Sequence, residues 1–284
     1  MSKFLLTIFT FIGVCGLNAQ ESMFAYKLGA MEVWTVVEVT GRGTKSILLD
    51  ETPEQKDYVS QKIPTGSYTH ETNFFIVRSE GKFYLFDTGF GTGRAAVDSL
   101  ASLGAKPDQV AAIFITHTHG DHTGGLVKDN YPQFPGAALY ISKNELAAWQ
   151  ASPSEAAKIR LYRDRIKTFE PVPLSEGGVE VIPGINAAAA EGHTAGHVCY
   201  ILRQGKRSML IAGDFIHVED VQFGMPSISV TYDANRDKAG LVRRDILEYA
   251  AKNSVPIAGM HLRYPGIVTV KADKSGGFVW TPVK

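Results

Sequence analysis

The chain has 284 residues, with 29 Lys+Arg balanced by 29 Asp+Glu, and is 44% hydrophobic and 20% charged. That is ordinary for a globular protein and long enough for a sizeable core, and length alone permits one or two domains. Balanced charge leaves no electrostatic footprint for nucleic acid or anionic lipid, so neither is expected as a partner.

The N-terminus differs from the rest. Lys3 precedes an apolar run from Phe4 to Val14, and Asn18-Ala19-Gln20 follows. A cation, a short apolar stretch and a small residue read as a secretory signal peptide over residues 1–19, with cleavage near Ala19 and a periplasmic or secreted product. The run falls short of the ~20 apolar residues a spanning helix needs, so no stable membrane insertion is expected. Lipidation at Cys15 is the alternative, disfavoured by the bulk of Val14. Removal of the leader leaves Cys199 as the remaining thiol, and its setting, His-Val-Cys-Tyr-Ile-Leu, reads as a buried strand.

Residues 20–284 read as one domain. A strand is expected at Val33–Val39, then a polar, irregular stretch at Gly41–Gly66 with a short helix around Pro53–Gln61. Asn73–Arg78 and Lys82–Asp87 are β-rich and flank Ser79-Glu80-Gly81, a hairpin signal. Asp87-Thr88-Gly89-Phe90-Gly91 is a glycine-rich turn, Arg94–Leu103 has helical spacing, and Val110–Ile115 is a buried-strand run. Next come a strand at Ala137–Ile141 and helices at Lys143–Gln150 and Ser154–Lys167. Strands at Val179–Ile182, Val198–Arg203 and Ser208–Ala212 precede an amphipathic helix at Asn235–Ala251. The chain closes with strands at Val255–Ala258, Ile267–Lys271 and Gly277–Trp280. This order suits a layered α/β fold with two mixed sheets inside and helices outside.

The most informative segment begins where the Val110–Ile115 strand ends. Thr116-His117-Thr118-His119-Gly120-Asp121-His122 gathers three imidazoles and a carboxylate, with a glycine to let the backbone turn. Downstream lie His193 in Glu-Gly-His-Thr-Ala-Gly-His, Asp214 after Gly213, and His261 in Gly-Met-His-Leu. Five histidines and two aspartates suffice for two neighbouring divalent cations with positions left for water or substrate. Imidazole with carboxylate suits zinc and also Mn, Fe, Co or Ni. His197 and His217 read as hydrogen-bonding partners that orient ligands or loops. His70 reads as structural or surface.

Residues 117, 119, 121 and 122 match the His-x-His-x-Asp-His motif, and the chain resembles the metallo-β-lactamase superfamily from Asn73-Phe74-Phe75 onward. The resemblance implies a four-layer αββα sandwich. It implies that His117, His119 and His193 hold a first metal, Asp121, His122 and His261 a second, and that Asp214 bridges both with a hydroxide. True β-lactamases have Cys or Ser where Asp214 stands; an aspartate there resembles lactonases, glyoxalase II, phosphotriesterases and RNA-processing members, the last disfavoured by the balanced charge and the expected secretion. The stretches Gly213-Asp214-Phe215-Ile216-His217-Val218, Pro226-Ser227-Ile228-Ser229-Val230 and Phe278-Val279-Trp280-Thr281-Pro282 are similar to the methyl parathion hydrolase and quorum-quenching lactonase group.

That group's chemistry implies small-molecule lactone, ester or organophosphate substrates, with Asp121 and Asp214 as the catalytic carboxylates and a homodimer as the common assembly. Asp121 is the candidate to pass a proton to the leaving oxygen. Phe90, Trp149, Phe223, Met225, Leu262 and Tyr264 are nominated for the substrate pocket. Rival readings are a mononuclear iron persulfide dioxygenase of the same fold, a β-lactamase, a generic arylesterase, and a binding protein whose metals are structural.

Overall fold

The computed structural model describes residues 23–284 except 93, 153 and 154. The expected signal peptide and Cys15 lie outside the described residues.

Seven strands form the first sheet, in the order Met23–Leu28, Met31–Thr44, Ser67–Ser79, Lys82–Phe86, Val110–Phe114, Ala138–Ser142 and Ile166–Phe169. The first four run antiparallel and the remainder are added in parallel. The second sheet runs Val172–Pro173, Ile185–Ala189, Val198–Gln204, Arg207–Ile211, Ile257–Ala258, Ile267–Ala272 and Phe278–Pro282, with Val179–Ile182 paired beside Ile185–Ala189. Both sheets are mixed.

The apolar runs are continuous because these strands are buried on both faces. In Phe74-Phe75-Ile76-Val77, Phe75 and Val77 point between the sheets, while Phe74 and Ile76 meet Leu100, Trp149 and Tyr162 on the helical side. On the second sheet, Tyr200 and Leu202 face inward, and Cys199 and Ile201 pack against Ile246, Leu247 and Ala250 of the helix Arg236–Asn253. Helices Ala95–Ser102, Lys143–Gln150 and Ala156–Tyr162 cover the first sheet, which completes four layers. Full burial of each such side chain contributes about 1.5–3 kcal/mol.

Capping residues start the helices where expected. Thr52 Oγ1 accepts from the Gln55 amide at 3.2 Å, and Gln55 Oε1 accepts from the Thr52 amide at 3.1 Å. Asn235 Oδ1 accepts from the Lys238 amide at 3.0 Å to open the helix Arg236–Asn253. Among the described residues no helix is long and apolar enough to cross a membrane.

The structure corrects several expected boundaries. The strand placed at Val33–Val39 extends to Thr44, so residues 41–44 are not irregular, and its partner begins at Ser67. Tertiary pairing overrides the weak β-propensity of Thr40-Gly41-Arg42-Gly43. The helix expected over Ser154–Lys167 ends at Tyr162, and Ile166–Phe169 is a parallel strand on Ala138–Ser142. Ile185–Ala189 is a central strand that the sequence hides, because Asn-Ala-Ala-Ala carries no β-branched signal. Its alanines suit a strand at which no space is left: Ala187 and Ala188 are fully buried.

Candidate metal centre

The site lies along one rim of the sandwich, where strands of both sheets end. Val110–Phe114 leads into the histidine run, and a single helical turn, Gly120–Thr123, brings Asp121 and His122 around. His193 follows Ile185–Ala189, Asp214 follows Arg207–Ile211, and His261 follows Ile257–Ala258. Gly213 has φ +57°, and a Cβ there would collide with the His197 ring. Only glycine passes this point without strain.

All seven residues singled out in the sequence converge. His117, His119, His193 and Asp214 form one group of donors, and Asp121, His122, Asp214 and His261 form another, each with its atoms within 4.8 Å of one another. Asp214 belongs to both. Its Oδ2 lies 3.3 Å from His193 Nε2, 3.7 Å from His117 Nε2 and 3.2 Å from His261 Nε2, and its Oδ1 lies 3.2 Å from His122 Nε2. His119 Nδ1 is 3.0 Å from both His117 Nε2 and His193 Nε2. Asp121 Oδ2 is 3.5 Å from His122 Nε2 and 3.4 Å from His261 Nε2.

Two observations test whether these residues fit divalent cations. A tetrahedral ion with ligands at about 2.0–2.1 Å separates its ligand atoms by roughly 3.3 Å, and the donor spacings scatter around that value. Buried His122 Nε2 and Asp214 Oδ1 lie 3.2 Å apart yet make no aligned hydrogen bond to each other or to any other described group, and leaving such atoms unsatisfied costs about 1–3 kcal/mol each. A cation shared by these atoms removes that penalty.

Three of the rings are aimed by a carboxylate or carbonyl on their other nitrogen. His122 Nδ1 lies 2.7 Å from Asp87 Oδ2, His193 Nδ1 3.0 Å from Asp233 Oδ1, and His261 Nδ1 3.0 Å from the Glu71 carbonyl. With a cation bound, an acceptor there would keep the proton on Nδ1 and leave the Nε2 lone pair to the metal. Asp87 is held in turn by the Thr116 amide at 2.8 Å and hydroxyl at 2.6 Å. Asp233 meets the buried Arg243 guanidinium at 3.4 Å. Buried Glu145 ties the two loops together, accepting from Thr118 N and Oγ1 and from Thr194 Oγ1 and Gly196 N.

Burial opposes charge throughout this centre, and pairing decides which groups keep it. Burial would raise Asp214, but His122, His261 and His117 outweigh it and hold the carboxyl well below its ordinary range. Asp121 is likewise held low against burial by His122 and His261. His117 is pushed well down by burial and by repulsion from His122. Burial lowers His193 to about 3 despite Asp233. Burial also works against His261, yet Asp214 and Asp121 raise it to about 10, and His122 is raised for the same reason.

The secondary expectations divide. His197 Nδ1 contacts the Ala190 carbonyl at 2.8 Å and its Nε2 accepts from the Asp214 amide at 3.2 Å, so it orients the Asp214 turn. His217 enters the centre itself: Nε2 lies 3.2 Å from Asp214 Oδ2 and its ring stacks on His261 at 4.9 Å. His70 is half-buried with its ring 6.5 Å from His261, nearer the site than a surface role implies. Phe90 and Tyr264 are exposed. Trp149, Phe223 and Leu262, nominated for the pocket, are 2%, 1% and 0% exposed and lie in the packed interior. Trp149 and Phe223 pack in the helix-side cores, where Phe223 stacks on Trp280 at 5.6 Å, and Leu262 fills space under Gly259. Met225 packs in a small satellite core with Val59, Val221 and Ile228. Asp87, Asp233 and Glu145 were not foreseen; the site segments that they hold lie 27 to 51 residues away.

A model of the metallo-beta-lactamase superfamily matches residues 68–270. The chain belongs to that superfamily. Among curated relatives, it is 29% identical over 179 residues to an atrochrysone carboxyl ACP thioesterase of Aspergillus chevalieri, covering 60% of this chain and 50% of that protein. The corresponding thioesterase of Passalora fulva is 29% identical over 153 residues, 53% of this chain and 40% of the relative. The chain thus spans about half the length, or less, of these relatives. Among solved structures, the hydrolase AbOPH of the beta-lactamase superfamily superposes with TM-score 0.80 at 26% identity, over 93% of this chain and 98% of that one. The dizinc quorum-quenching lactonase AidC, solved with a homoserine product, gives TM-score 0.80 at 22% identity over the same shares, a likeness of fold. The superfamily fold and the His/Asp clusters able to bind metal are therefore both present.

Proposed function

We propose that this protein is a metal-dependent hydrolase that opens small lactones and related carboxylic esters at a two-cation centre. The carrying observation is the pair of four-donor groups sharing Asp214, with His122 Nε2 and Asp214 Oδ1 buried and not hydrogen-bonded. The hydrolase AbOPH at 26% identity supports the reaction class.

In this reading His117, His119 and His193 hold one cation, Asp121, His122 and His261 the other, and Asp214 both. Zinc is the preferred identity, and when bound the pair would lower the pKa of a water and polarise the substrate's carbonyl oxygen. The protein's own part is positional. Asp87, Asp233 and the Glu71 carbonyl fix ring orientation, so donors are in place before substrate arrives. Asp121 is the ligand carboxylate open to solvent, at 19% exposure against 2% for Asp214. It is placed to carry a proton to the leaving alkoxide. His217, against Asp214, and Phe90, at the loop beside His122, border the substrate side.

The thioesterase relatives favour a second reading, cleavage of an acyl thioester at the same centre. The centre is equally suited to an aryl phosphotriester. The deciding experiment assays metal-counted protein on an acyl-homoserine lactone, an aryl ester, an acyl thioester and an aryl phosphotriester. Two divalent ions per chain and turnover of the lactone, abolished by chelator and restored by zinc, are expected. One iron per chain with oxygen consumption would overturn the hydrolase reading. Faster thioester than lactone turnover would select the second.

A further inference from the structure

The long strand Met31–Thr44 breaks its register at one place. Val37 pairs with Asn73 and Val39 with Thr72, which leaves Glu38 as an extra, unpaired residue. Such a β-bulge re-aims a side chain and is a common device beside active sites. Here it sends the Glu38 carboxylate out of the sheet and into the loop after Asp87. Oε2 accepts from the Phe90 amide at 2.6 Å, and Oε1 accepts from the Thr92 amide at 2.8 Å and hydroxyl at 2.9 Å.

The loop is shaped around this carboxylate. Gly89 has φ +70°, and a Cβ on it would run into Glu38. The loop's other side rests on the metal run: the Thr88 amide and hydroxyl donate to the His122 carbonyl at 2.8 and 2.9 Å, and the Gly125 amide donates to the Gly89 carbonyl at 3.3 Å. The Phe90 backbone packs so closely on Gly124 that no side chain fits between them. No hydrogen bond or ion pair joins Glu38 to the seven metal-site residues, yet it holds the segment that is hydrogen-bonded to the His122 carbonyl.

We propose that Glu38 is a positioning residue, a latch that fixes the 88–92 loop and thereby Phe90 at the mouth of the metal centre. Its effect on catalysis rests on the hydrolase reading; its effect on the loop does not. A Glu38→Gln change keeps the shape but replaces one accepting oxygen with a donor, setting N–H against N–H where three donors converge.

The test pairs amide exchange with kinetics on the metal-loaded full chain. Glu38→Gln should speed exchange at residues 88–92 by roughly tenfold while the strand Val110–Phe114 stays protected. Metal content should stay unchanged, with KM up by roughly three- to tenfold and kcat within about twofold. In a Phe90→Ala background the same change should move KM by less than about twofold, since the latch then has no wall residue to place. Glu38→Ala should reproduce the exchange effect; if it fails to fold, the isosteric Gln variant decides. Unchanged exchange at 88–92, loss of metal, or an undiminished KM effect without Phe90 would overturn the proposal. If the parent protein turns over none of the ester, thioester or phosphotriester probes, the hydrolase reading fails and exchange alone decides the latch.

Discussion

Replacing Asp87 by Asn should weaken one metal position and spare the other. Asp87 is fully buried, with φ +57°, a conformation that Asn adopts more readily than other residues, so the fold should persist. Its Oδ2 receives both the Thr116 hydroxyl at 2.6 Å and His122 Nδ1 at 2.7 Å. An amide nitrogen at that place donates instead. It then pairs with the Nδ1 lone pair and drives the proton to Nε2, the atom that must be bare to bind a cation. Loss of an orienting partner of this kind costs about 10–100-fold in metal affinity, or roughly 1.4–2.7 kcal/mol. Competition with a chromophoric chelator, followed by metal counting, should show one weakened ion per chain. The ion held through His117, His119 and His193 should remain within about threefold of the parent affinity. Equal weakening at both positions, or none, would refute the tautomer argument.

Three other outcomes follow from the same geometry. Burial would raise the Asp233 carboxyl, yet His193 and Arg243 hold it at about 2 against an ordinary 3.8. A depressed acid stabilises the fold above its unfolded pKa and loses that contribution as pH falls from about 4 towards 2. Metal-free Asp233→Asn protein should therefore lack a stabilisation on the order of 2 kcal/mol near neutral pH, and denaturant midpoints for the two proteins should converge near pH 2. Metal-free His122 and His261 hold protons at neutral pH, so loading should release them, and apparent affinity should fall as pH is lowered. Calorimetry in buffers of different ionisation enthalpy measures this; zero proton release would contradict it. Phe223→Ala should cost about 3–5 kcal/mol in denaturant unfolding and leave KM unchanged, because the ring fills a core and not a pocket. A shifted KM with intact stability would return Phe223 to the substrate wall.

What could be seen in the sequence and what could not separate along a physical line. The ligands were legible because His117 through His122 concentrate unusual residue types, and His193, Asp214 and His261 each sit beside a glycine or at a strand end. The layered fold was legible because runs such as Phe74–Val77 and Val198–Leu202 are apolar on both faces. Asp87 and Asp233 were not, since an aspartate in a turn looks the same whether it faces water or a ring 35 or 40 residues away. Trp149 and Phe223 show the converse ambiguity: an aromatic residue serves a wall and a core equally, and their burial is visible only in the structure. The Glu38 bulge left no trace at all, as one extra residue in a β-rich run such as Val36-Val37-Glu38-Val39 does not disturb the strand signal.

Asn73 has a bearing beyond its own hydrogen bonds. Sitting in the first sheet, it gives its side-chain amide to the Gly259 and Leu262 carbonyls at 3.1 and 2.7 Å, and its backbone amide to Met260 at 2.7 Å, all in the His261 loop of the second sheet. His122 belongs to one layer and His261 to the other, so the span between them is a property of how the layers are registered. The sandwich acts as a gauge block for the centre: any slippage between the sheets becomes a change in ligand spacing. Substitutions beneath the rim, in the interlayer packing of Phe114 and Tyr200, can therefore retune metal binding without touching a ligand.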